Sequence, residues 1–138
     1  VTTASSASAD NIEMLRSVRD RLFDAFRDGD CPVRELSALA RRLQEVGVEI
    51  AEYDGTPEAW EKHLKDLGYL QAHMAKAVKD PECPYRELSP LTRRLQDIVK
   101  EIAGTKEKLK MVRSKQRKKT NERTDDGPAD AGFDPSGL

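Results

Sequence analysis

Apolar residues recur at three- and four-residue steps in four separate stretches of the chain, the pattern of amphipathic helices rather than of strands. The first stretch carries Ile12, Leu15, Val18, Leu22 and Phe26 and predicts a helix over about residues 9–27, closed by Gly29. The second carries Leu36, Leu39, Leu43, Val46, Ile50 and Tyr53, an unbroken alternation of threes and fours that reads as a heptad seam packed on another helix. Asp54-Gly55 stops it. Thr56-Pro57 opens a third helix as N-cap and first residue, with Trp60, Leu64, Leu67, Leu70 or Gln71, Met74 and Val78 on its inner face. The fourth stretch repeats the seam with Leu88, Leu91, Leu95, Ile98 and Ile102, and Leu109 and Val112 keep its phase past Gly104. Pro90 is the awkward residue, because a proline deep inside a helix costs about 3 kcal/mol. The fourth helix is therefore expected to start with Ser89 as N-cap, and Ser37 marks a matching late start in the second.

The two seams are copies of one another. Cys31 to Ala51 reads CPVRELSALARRLQEVGVEIA and Cys83 to Ala103 reads CPYRELSPLTRRLQDIVKEIA, with 14 identities in 21 positions at an offset of 52. The offset holds more weakly upstream, where Leu15 falls on Leu67, Val18 on Leu70, Leu22 on Met74 and Asp28 on Asp80. A repeat of this length is one supersecondary unit occurring twice. The expected fold is all-α: two tandem αα-hairpins over residues 10–105, then a basic C-terminal helical extension over 106–119. Residues 1–9 read as a disordered arm and 120–138 as a disordered acidic tail.

Charge distribution changes the picture more than total charge does. The chain of 138 residues is 36% charged and 5% aromatic with a net charge of −1, which implies a small aliphatic core and stability shared with copies of itself. Residues 1–105 hold 15 Lys/Arg against 19 Asp/Glu, residues 106–123 hold 9 against 2, and the remainder holds four Asp and no cation. That asymmetry describes a basic arm followed by an acidic tail. The first ten residues lack the charged start and apolar stretch of a signal peptide, and no apolar run is long enough to cross a membrane. The expected location is cytoplasmic.

No catalytic constellation stands out: there is no P-loop, nucleophile elbow or dinucleotide fingerprint, so neither enzyme activity nor a cofactor is expected. Cys31, Cys83, His63 and His73 are zinc-ligand types, but no two lie at the close spacing zinc sites use. They read as reduced thiols at helix starts and ordinary helix residues, with no metal. Arg41 with Glu45 and Arg93 with Asp97 are spaced for ordinary surface pairing. The same arginines, in the pairs Arg41-Arg42 and Arg93-Arg94, also suit DNA contact, and a short helix from Ser89 would pass for the recognition helix of a helix-turn-helix. The basic segment KEKLKMVRSKQRKKTNER carries the strongest functional signal. Lys106, Lys108, Lys110, Arg113, Lys115, Arg117, Lys118 and Lys119 are too dense for internal neutralisation and suit phosphate contact without sequence reading. The segment has no aromatic residue for stacking on single strands.

A helix worded LRSVRDRLFDAF, an acidic turn, then P-x-R-E-L-S-x-L-x-R-R-L and a basic stretch resembles the terminase small subunits of actinobacterial phages. The matching positions are Arg34 to Leu43 and, in the second copy, Arg86 to Leu95. The resemblance implies a non-catalytic DNA-packaging adaptor that forms a homo-oligomeric ring, binds double-stranded DNA and brings it to the large terminase subunit. On that reading Phe133 and Leu138 in the tail form a docking peptide for the large subunit, and the chain works in the bacterial host cytoplasm. A dimeric transcriptional regulator and a coiled-coil scaffold without a DNA role are the competing expectations.

Overall fold

The computed structural model describes residues 2–126, with side chains from 10 to 118. It is all-helical: α1 (Thr2–Arg27), α2 (Val33–Asp54), α3 (Pro57–Lys79) and α4 (Tyr85–Asp126). Short connections make consecutive helices neighbours, so α1 packs on α2 and α3 on α4, while α2 also packs on both α3 and α4. α2 is the central helix and α4 lies at an edge.

The turn between α1 and α2 and the turn between α3 and α4 carry the same hydrogen bonds. The Asp28 carboxylate accepts from the Asp30 N–H at 3.0 Å, and its carbonyl accepts from the Cys31 N–H at 3.0 Å. Asp80 does the same for Glu82 at 2.9 Å and Cys83 at 3.0 Å. Pro81 stands where the first turn has Gly29, and proline cannot take a positive φ. Accordingly Gly29 does not use one either, and Gly55 is the one residue with a positive φ among those described, at 73°. Its N–H closes α2 on the Ala51 carbonyl at 2.8 Å. Thr56 then caps α3 by accepting from the Ala59 N–H at 3.1 Å.

Several element boundaries differ from expectation. α2 and α4 begin at Val33 and Tyr85, not after Ser37 and Ser89, and Pro90 sits inside α4. Its missing N–H would have bonded only the Arg86 carbonyl, in an exposed first turn where water can donate to that carbonyl instead. α1 begins at Thr2 rather than near residue 9, and α4 runs to Asp126 rather than ending at 119. Lys, Arg and Gln have high helix propensity, so the helix outlasts its apolar seam. The rest of the expected acidic tail lies outside the described residues.

The main core joins Phe23 and Phe26 of α1, Leu36, Ala40 and Leu43 of α2, Leu67, Leu70 and Met74 of α3, and Leu91 and Ile98 of α4. A smaller one holds Ala51, Trp60 and Leu109, so three of the few aromatics are buried in a core expected to be aliphatic. Val46 is buried with the seam residues Leu36, Leu43, Leu91 and Ile98, whereas Leu39, Ile50, Leu88, Leu95 and Ile102 are half-buried. Tyr53, placed on the seam by its spacing, is 48% exposed and accepts a hydrogen bond from Asn11 at 3.0 Å.

Candidate nucleic-acid interface

The basic segment is one continuous stretch of α4. Lys106, Lys110, Arg113 and Arg117 follow one another at steps of four, three and four, so they share one side of the helix. Lys108 and Lys115, seven residues apart, share another. Between the two rows lie buried Thr105 and Leu109 and half-buried Val112, the residues that hold α4 against the bundle. All the described cations from Lys106 to Lys118 are exposed. The first row covers 11 residue steps from Lys106 to Arg117, about 16 Å at 1.5 Å per residue. A DNA strand offers one phosphate per 3.4 Å of axis, so the row matches roughly five phosphates.

Part of this charge is engaged within the protein. The Arg113 guanidinium donates to the Glu61 carboxylate of α3. Lys110 pairs with Glu107 at 3.6 Å, and the Lys108 ammonium stands 5.8 Å from the centre of the Trp60 ring. All three are exposed contacts of the kind worth about 1 kcal/mol or less, and a phosphate can displace them. Lys106, Lys115, Arg117 and Lys118 form no ion pair among the described residues. The side chain of Lys119 lies outside them.

The paired arginines divide. Arg41 and Arg42 are exposed and share Glu45, at 3.4 and 3.3 Å, and Arg93 is exposed. Arg94 is not available to DNA: its side chain is 15% exposed, pairs with Asp97 at 3.2 Å and donates to Gln44 Oε1 of α2 at 3.1 Å. The expected partner of Asp97 was Arg93; the three-residue spacing from Arg94 takes it instead. Gln44 Nε2 in turn donates to Glu101 at 2.6 Å, and the other oxygen of Glu101 lies 2.8 Å from Nε2 of buried His63. This network locks α2, α3 and α4 together. Sequence reading missed it, although Gln44, Arg94 and Glu101 all belong to the identities of the repeat. With α4 continuous from Tyr85 and Arg94 turned inward, no short recognition helix begins at Ser89.

The remaining candidate groups stay apart. Cys31 and Cys83 are free thiols in the matched turns, and burial, then Glu35 and Asp28, push the Cys31 thiol above its ordinary value. The His73 ring lies 4.6 Å from that of Phe26 and 6.0 Å from that of Tyr69; desolvation, then Lys76, lowers its pKa. Among the described residues no three His, Cys, Asp or Glu side chains come together as metal ligands would, and no helix is long and apolar enough to cross a membrane. The docking residues Phe133 and Leu138 lie outside the described residues. No protein-family model, curated protein or solved structure matches the chain.

Proposed function

We propose that the chain is a non-catalytic DNA-packaging adaptor of the terminase small-subunit type, which assembles with itself, binds double-stranded DNA and recruits a large terminase subunit. The observation that carries the reading is the row Lys106, Lys110, Arg113 and Arg117 along one side of α4. It offers regularly spaced cations with no aromatic or hydrogen-bonding code, which suits a duplex backbone. The wording shared with terminase small subunits supplies the packaging context. Phe133 and Leu138 are the proposed anchors for the large subunit, and the host cytoplasm is the proposed location.

The test is the triple variant Lys106→Glu, Lys110→Glu, Arg117→Glu, assayed by mobility shift on unrelated duplexes. Its affinity should fall alike on every sequence, with the salt slope reduced by about one unit per cation removed. Unchanged binding would remove the α4 row from the proposal. Deleting residues 124–138 should leave DNA binding intact and abolish capture of the large subunit; retained capture would remove the tail assignment. A scaffold reading without DNA is favoured by the exposed Val99 and Met111 on α4, and absence of duplex binding at low salt would select it.

A further inference from the structure

The contact between the two hairpins leaves a matching copy of each of its halves open at opposite ends of the chain. On α2, the face turned to the second hairpin is the row Ala40, Gln44, Gly47 and Ala51, all buried. Gly47 lies so close to the His63 ring that a Cβ there would stand 2.6 Å from Nδ1, and Gln44 bonds Arg94 and Glu101. The repeat places Thr92, Gln96, Val99 and Ala103 at the corresponding positions of α4, and all four are exposed. The opposite half behaves likewise. Leu67, His63, Arg94 and Glu101 face α2 from the second hairpin, and their counterparts Leu15, Asn11, Arg42 and Glu49 on the first are half-buried or exposed.

We infer that the outer face of α4 in one chain receives the outer face of the α1–α2 hairpin of a second copy, repeating between chains the contact made between hairpins within one chain. The inference rests on the self-assembly part of the proposed function and not on DNA binding. Three of the four polar residues of the internal contact recur unchanged: Gln96 for Gln44, Arg42 for Arg94, and Glu49 for Glu101, the fourth being Asn11 for His63. At the Gly47–His63 contact the substitutions compensate in size. Inside the chain a large His63 fits against Gly47; between chains a larger Val99 would meet the smaller Asn11. Because the two faces differ, the contact is head-to-tail, which closes into a ring or extends as a filament according to the rotation per copy.

Two measurements on the full chain test the inference. The first is native mass by light scattering, for wild type and Val99→Arg. Val99 is 48% exposed in the single chain, so the substitution leaves the fold intact, as unchanged helical circular dichroism would verify. The wild type should exceed the 15.5 kDa of one chain several-fold, and the variant should fall to that mass. The second is oxidative cross-linking of Asn11→Cys/Val99→Cys in a background of Cys31→Ser/Cys83→Ser. The double variant should give a ladder of covalent dimers, trimers and larger species, while either single variant gives no species beyond a dimer. A monomeric wild type would overturn this inference together with the self-assembly reading. An assembled wild type that ignores Val99→Arg and forms no ladder would overturn this inference alone.

Discussion

Cys31–Ala51 and Cys83–Ala103 share two-thirds of their residues, yet they have opposite fates in the fold. The first lies mostly in α2, between α1 on one side and α3 with α4 on the other; the second lies mostly in α4, at the edge. Arg42 keeps 61% of its side chain exposed, and identical Arg94 keeps 15%. Gly47 is buried and Val99 is exposed, while Leu39 is half-buried and Leu91 fully buried. The difference teaches that place in the stack, not local wording, decides which face of a repeated helix is covered. It also shows what a repeat must change when one copy faces its own chain and the other does not: a glycine admits a neighbouring ring in one, and a valine stands in the open in the other.

The sharpest way to break this comparison is to truncate matched residues and compare the losses by chemical denaturation. Leu91→Ala removes a fully buried side chain and should cost about 2–5 kcal/mol, with Leu39→Ala costing clearly less because Leu39 already meets solvent. Equal losses would mean that the two copies are covered alike. The next largest effect is expected from exchanging the glycine and valine. Gly47→Val drives a side chain into the His63 ring and should cost about 1–3 kcal/mol. Val99→Gly should cost only about 0.5 kcal/mol or less of helix propensity, measured where the chain is monomeric. A smaller effect should appear with pH. His73 on α3 has its folded pKa held below the ordinary 6.5 by burial and then Lys76, so the unfolded chain takes up the proton more readily. Stability should therefore fall as pH drops from about 6.5 through the folded value, and His73→Gln, on α3 where the first hairpin has Arg21, should remove that part of the slope.

Four helices, their turns and the Leu/Ile seams were legible because periodic large apolar residues and Asp-Gly-Thr-Pro punctuation have few alternative explanations. The row Ala40, Gln44, Gly47 and Ala51 was not legible, since small and polar residues carry no hydrophobic period even when a neighbouring helix covers them. Tyr53 failed in the opposite sense: it continues the spacing of α2, yet it stays 48% exposed and meets Asn11 of α1 through its hydroxyl instead of entering the core. Pro90 misled because the cost of proline was charged in full to a position where the lost bond is in an exposed first turn. The cations of α4 could be named from their density, but Glu61 beside Arg113 and Trp60 beneath Lys108 come from another helix, which local spacing does not reveal. Arg94 was placed on DNA for the same reason: nothing in its own copy of the repeat shows that Gln44 lies across from it.

The most direct measurement is the affinity of the full chain for a random duplex, by fluorescence anisotropy, between 50 and 200 mM salt. If the four cations of the α4 row neutralise four phosphates, the slope of log affinity against log salt should be about −3.6, a loss of about a hundredfold across that range. No binding at 50 mM, or binding that does not weaken with salt, would contradict a DNA-binding role for this helix.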